Sequence, residues 1–123
     1  MQPELPLVYS CSGCSSAAQM ANSIALRLDR EGRAEMSCIA GVGGGVQPLV
    51  RTAKSGRPII ALDGCALKCV AHCLARHGVV AERHFVLSGF GVEKKKQHLF
   101  SAEEIEGVYT RLLSEIDEKP AAV

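Results

Sequence analysis

The chain has no tryptophan, and only two tyrosines and three phenylalanines in 123 residues. That leaves little from which to build the aromatic platforms that stack on single-stranded bases. Charge of either sign is nearly balanced, at a formal +1, so no global field points to nucleic acid or to an anionic membrane surface. No apolar run approaches the roughly 18 residues that a membrane span requires. The first ten residues have no basic segment and too short an apolar stretch for a secretory signal, so a cytoplasmic location is expected.

Six cysteines stand out against these absences. In a reducing compartment such a number points to metal binding or thiol chemistry before it points to a disulfide framework. At this length, with 47% apolar and 22% charged residues, one soluble domain spanning residues 1–123 can bury a core without covalent staples.

Strand and helix patterns alternate along the chain. Leu5–Ser10 is short, apolar and bounded by a Gly/Ser/Cys cluster, as expected of a first strand. From Cys14 to Arg30, Ala17, Ala21, Ile24, Ala25 and Leu28 recur at helical spacing, with Gly32 placed to end the helix. A second strand is predicted over Ala34–Ala40, then a flexible loop over Gly41–Gly45 and a short helix from Pro48 to about Ser55. Pro58–Leu62 has the continuous apolar character of a strand buried on both faces. A helix over Cys65–His77 and a strand over His84–Ser88 follow.

The last helix carries its own start signal. Ser101 and Glu104 are spaced as a capping box, with Phe100 and Ile105 as the hydrophobic staple, and periodicity runs to Ile116. The tail, Lys119–Val123, is expected to fray. The order βαβαβαβα predicts an α/β fold: a small doubly wound three-layer sandwich, its four-stranded parallel sheet ordered 2-1-3-4 with helices on both faces.

Cys11, Cys38 and Cys65 are evenly spaced, 27 residues from one to the next, and each lies at the end of a predicted strand or just beyond it. The predicted order makes those strands neighbours and delivers three thiols to the carboxyl edge, where open α/β sheets bind ligands. Neighbouring strands are about 4.8 Å apart, so the outer two thiols start about 10 Å apart. Sulfurs sharing a zinc ion sit under about 4 Å from each other. The loops after the second and third strands must therefore fold inward.

Cys11 and Cys14 form a C-x2-C pair at a strand-to-helix turn, a setting that favours thiolates. Cys69 is near enough to Cys65 along the predicted helix to join the site. Cys73, two helical turns (about 12 Å) from Cys65, fits better as a small buried hydrophobe.

Other residues carry weaker signals. Asp63 suits either orienting a ligand or capping the third helix. The serines at 10, 12, 15 and 16 suit N-capping better than anion binding. His72 points about 100° away from Cys73 and is disfavoured as a ligand. His77 is placed to suit the helix dipole, and His84 and His98 read as surface or edge residues. Lys94–Lys96 reads as a solvated run. Position 17 is Ala, which excludes a C-x5-R phosphate clamp, and the glycines after the second strand lack the acidic partner of a dinucleotide fingerprint.

Three segments, YSCSGCSSAAQMANSIA, AEMSCIAGVGGGV and IIALDGCALKCVAHC, together resemble the DGC-domain family, small bacterial and archaeal proteins named for an Asp-Gly-Cys motif. Here that motif is Asp63-Gly64-Cys65. The resemblance extends from about residue 7 to residue 93. It implies a zinc-binding domain with Cys11, Cys14, Cys38 and Cys65 as metal cysteines, and Cys69 and Cys73 in the same extended motif. It implies no reaction and no biological role.

Three functions are consistent with these thiols. The first is zinc binding in metal handling or sensing, through Cys11, Cys14, Cys38, Cys65 and Cys69. The second is a thiol enzyme in redox or sulfur transfer, with Cys11 as nucleophile and Cys14 as resolving thiol. The third is an iron–sulfur protein, although the spacings match neither common ferredoxin pattern. The expected partner is a metal ion, with no nucleic acid and no membrane.

Overall fold

Burial along each strand reports its place in the sheet. In the structure, a computed structural model that describes residues 5–117, β1 (Leu7–Ser10) and β3 (Ile59–Asp63) are buried over their whole length. Those two are the central strands, covered on both faces. The edge strands β2 (Glu35–Met36) and β4 (Arg83–Val86) are only partly buried. All pairings are parallel and the order is β2-β1-β3-β4, as the sequence predicts.

Strand alternation sorts the core into two layers. Val8, Ile60 and Leu62 face α1 (Ser16–Arg30) and α5 (Ala102–Asp117), where Met20, Ile24, Leu28, Val108 and Leu112 are buried. Leu7, Tyr9, Ile59 and Ala61 face α2 (Ile39–Gly43), α3 (Gln47–Ala53) and α4 (Cys69–Ala75), meeting Val42, Ala53, Val70 and Leu74. Helices therefore cover both faces of the sheet.

Two side-chain devices hold the first layer. The capping box forms, with Glu104 N–H donating to Ser101 Oγ and Ser101 N–H to Glu104 Oε1, both at 3.0 Å. The Tyr109 hydroxyl donates to Glu31 Oε1 at 2.7 Å, tying α5 to α1. Burial, followed by that bond, pushes the phenol up to about 12.

Boundaries differ where tertiary packing overrides local pattern. Gly41–Gly45 is not a loop, because most of it forms α2. Its glycines permit close packing: a Cβ on Gly43 would lie 2.9 Å from Cys73 Sγ. The second strand pairs only at Glu35–Met36, and Cys38 becomes the N-cap of α2. The third major helix begins at Cys69, after a turn in which Lys68 takes a left-handed conformation (φ 54°). After Val86 the chain turns into a short 3-10 helix, Leu87–Phe90. The tail at 119–123 lies outside the described residues. Among the described residues no helix is long and apolar enough to cross a membrane.

Candidate functional site

Cys11 is the first residue beyond β1, and its N–H donates to Leu62 O at 3.0 Å, continuing the ladder to β3. Alternation then puts Leu7, Tyr9 and Cys11 on the same face as Ile59, Ala61 and Asp63. The Cys11 thiol is thereby set beside the Asp63 carboxylate at the carboxyl edge. Gly64 N–H donates to Cys11 Sγ at 3.1 Å.

The thiols divide into groups. Cys11, Cys65 and Cys73 are partly buried, while Cys14, Cys38 and Cys69 are exposed. Burial pushes the Cys11 thiol up, the Gly64 N–H partly offsets this, and Asp63, Cys69 and Cys65 push it further up. Cys65 and Cys69 are thus each close enough to Cys11 to act on its thiol. Cys73 is also held up, first by burial and then by Cys69. It lies one turn beyond Cys69 on a helix that starts four residues later than predicted, so its neighbour along the helix is Cys69 and not Cys65. Cys14 is exposed in the turn before α1, and Cys38 is exposed at the N-cap of α2.

Among the described residues, no three His, Cys, Asp or Glu side chains already stand in position to share a metal ion. The donor set nonetheless suits a soft cation. Neighbouring thiolates oppose one another's ionisation, and a bound cation reverses that opposition. The residues that would supply thiolates are Cys11, Cys65 and Cys69, with Cys14 and Cys38 on flanking turns.

A raised Cys11 has a measurable consequence. In metal-free protein, its alkylation rate is expected to rise with pH through a midpoint above the ~8.5 of an ordinary thiol. Site-resolved mass spectrometry across pH 6–11 checks this, and a midpoint below 8 would refute the burial argument.

Asp63 and His84 are the residues whose roles sequence reasoning missed or left open. The Asp63 side chain is 1% exposed. Its Oδ1 accepts from Val70 N at 2.8 Å, and its Oδ2 from Ala71 N at 3.4 Å and His84 Nε2 at 2.7 Å. Asp63 therefore caps α4 from the end of β3, where the helix's own N-cap, Lys68, offers no side-chain bond. His84 does sit on the edge strand, but its ring is fixed by the carboxylate. An acidic residue closing the fully apolar run Ile59–Leu62 was the available signal. The other half, the register pairing Ala61 with His84, is not written in local sequence.

Two basic residues at the end of α4 serve as ties. His77 Nε2 contacts Val42 O at 2.7 Å and Arg76 donates to Gly43 O at 3.0 Å, joining α4 to α2. His72 and His98 are exposed. Ser15 caps α1 by accepting from Ala18 N at 3.1 Å. Ser16 binds the lysine segment: its N–H donates to Lys95 O at 2.9 Å and its Oγ accepts from Lys95 N at 3.1 Å. The lysine run is thus pinned beside the Cys14 turn, with its side chains exposed. A hollow of about 450 Å³ lies among Lys54, Arg57, Pro58 and Glu82, at the other end of β3 from the thiols.

Comparison with known proteins adds a family and a relative. The family model described as the DGC domain matches residues 7–112. The chain is 59% identical over 108 residues to the anaerobic and virulence modulator AnvM of Pseudomonas aeruginosa, across 88% of this chain and 82% of that protein. No solved structure matches.

Proposed function

The chain belongs to the DGC-domain family, and from that premise we propose that it is a small regulatory protein whose thiol edge binds zinc. The observation that carries the metal half of this reading is the grouping of Cys11, Cys65 and Cys69 beside Asp63 and the Gly64 amide. The regulatory half rests on the relative, whose name is that of a modulator.

In this reading Cys11, Cys65 and Cys69 form the centre of the site, and one of Cys14 and Cys38 closes over it from its turn as the fourth ligand. Four thiolates complete a tetrahedral shell and leave no position for a substrate. Binding would then alter the edge of the sheet without performing a reaction. A nucleophilic role for Cys11 is less favoured, since burial and Asp63 push its thiol up and the Gly64 amide offsets this only in part.

Metal content of protein purified anaerobically without added metal tests the reading. One zinc per chain is expected. Serine at 11, 65 or 69 should each weaken zinc by more than the roughly 10- to 100-fold typical of losing an outer-shell partner. Metal-free protein whose fold and thiol titration ignore added zinc would sink it.

A further inference from the structure

A second hollow, of about 230 Å³, is bounded by α4, the turn after it and β4. Its walls are Leu74, Val79, Val80 and alanines from both segments, and among the described residues His84 is the one polar side chain that lines it. Val80 is 87% exposed, an aliphatic side chain at the rim with nothing over it.

The His84 ring is set by the carboxylate behind it. An ionised carboxylate only accepts, so the 2.7 Å contact between His84 Nε2 and Asp63 Oδ2 fixes a proton on Nε2. Nδ1 has no partner among the described residues, and the side chain is 27% exposed. The ring is therefore held from one side and available from the other, in a hollow whose walls are otherwise apolar.

The same surroundings select the ligand. Asp63 is buried directly behind the ring, and its negative charge opposes an anion in the hollow. A cation would find no second polar side chain there to replace its hydration. A neutral molecule with an apolar body and one hydroxyl meets both conditions. Its O–H donates to the Nδ1 lone pair, and its body covers the aliphatic walls. An apolar cavity of about 150 Å³ accepts benzene, so this hollow has room for one substituted ring.

We infer that this hollow is a binding site for a small neutral phenol, held by a hydrogen bond from its hydroxyl to His84 Nδ1. A phenolic O–H is a stronger donor than an aliphatic one, which favours it at an imidazole nitrogen. Asp63 acts as a positioning residue, fixing the tautomer and the angle of the ring. The inference stands apart from the zinc reading, since no thiol takes part.

The experiment is a titration of 15N-labelled protein, as purified, with p-cresol and with toluene, which is the same body without the hydroxyl. Saturable shifts are expected at the amides of α4 and residues 79–81 and at the His84 ring nitrogens. Toluene should bind about fivefold more weakly, the effect of one neutral hydrogen bond. His84→Phe should bring the two ligands to within about twofold of each other. Ala75→Leu fills the hollow from α4 without touching the Asp63–His84 contact, and should weaken both ligands at least about tenfold. Shifts that do not saturate or that lie elsewhere, equal affinities in wild type, a difference that survives His84→Phe, or undiminished binding to Ala75→Leu would each overturn the site.

Discussion

Replacing Asp63 by alanine is expected to destabilise the protein by about 4 kcal/mol, a large part of the roughly 5–15 kcal/mol that holds a domain folded. The carboxylate is buried at the end of the central strand and accepts from three donors on two other elements. Hydrogen bonds to a charged group contribute about 1.5–3 kcal/mol each, and removing the acceptor leaves the buried amide of Val70 unpaired. The 3.4 Å contact to Ala71 and the partly exposed His84 ring add less, which holds the total near the stated figure.

Asparagine at the same position separates capping from charge. It keeps an oxygen for Val70 but turns an amide N–H toward the donors on His84 or Ala71, so about 2 kcal/mol of loss is expected. It also removes the negative charge that helps hold the Cys11 thiol up, so Cys11 should alkylate at lower pH than in wild type. Urea unfolding followed by far-UV circular dichroism gives the stabilities, since the chain has no tryptophan to report on. If Asp63→Ala lay within 1 kcal/mol of wild type, the carboxylate would not be the anchor of α4.

Legibility in the sequence followed the range of the forces involved. The strand order was readable because alternation of short elements and the apolar run Ile59–Leu62 constrain a parallel sheet almost locally. The start of α5 was readable because a capping box is a contact between residues three apart. Helix α2 was not, because glycine is a poor helix former and these residues are held by packing against Leu49 and Cys73 from other helices. The start of α4 was hidden for a related reason, since its cap comes from Asp63 on the sheet, several residues before the helix begins.

The even spacing of Cys11, Cys38 and Cys65 correctly indicated a common edge, but equal spacing in sequence did not mean equal depth. Cys11 continues β1 and Cys65 stands two residues past β3, both partly buried, whereas β2 stops at Met36 and leaves Cys38 exposed on the following helix cap.

Gly64→Ala is expected to destabilise the protein by about 3 kcal/mol and to weaken the thiol site with it. A methyl at this position would stand 2.8 Å from Ala17 C, 2.9 Å from Ala17 O and 2.9 Å from Ala18 N. All three are backbone atoms in the first turn of α1, so no side chain can rotate aside to make room. Relief requires α1 to move away from the turn after β3, or the turn to move away from α1. Either movement pulls on the Gly64 N–H bond to Cys11 Sγ and displaces Cys65, the next residue along. The glycine of the Asp-Gly-Cys motif is thus required for space, since its backbone is not in the left-handed region. Gly89, in the 3-10 turn, is the matched control: it too lies outside that region, and a methyl there meets nothing within 4 Å. Gly89→Ala should stay within about 1 kcal/mol of wild type. Urea unfolding of both variants, with a count of promptly reactive thiols in native protein, makes the comparison. Gly64→Ala should expose Cys11 to thiol reagents that spare it in wild type, and equal stability of the two variants would show that the close approach to α1 is not what the motif glycine serves.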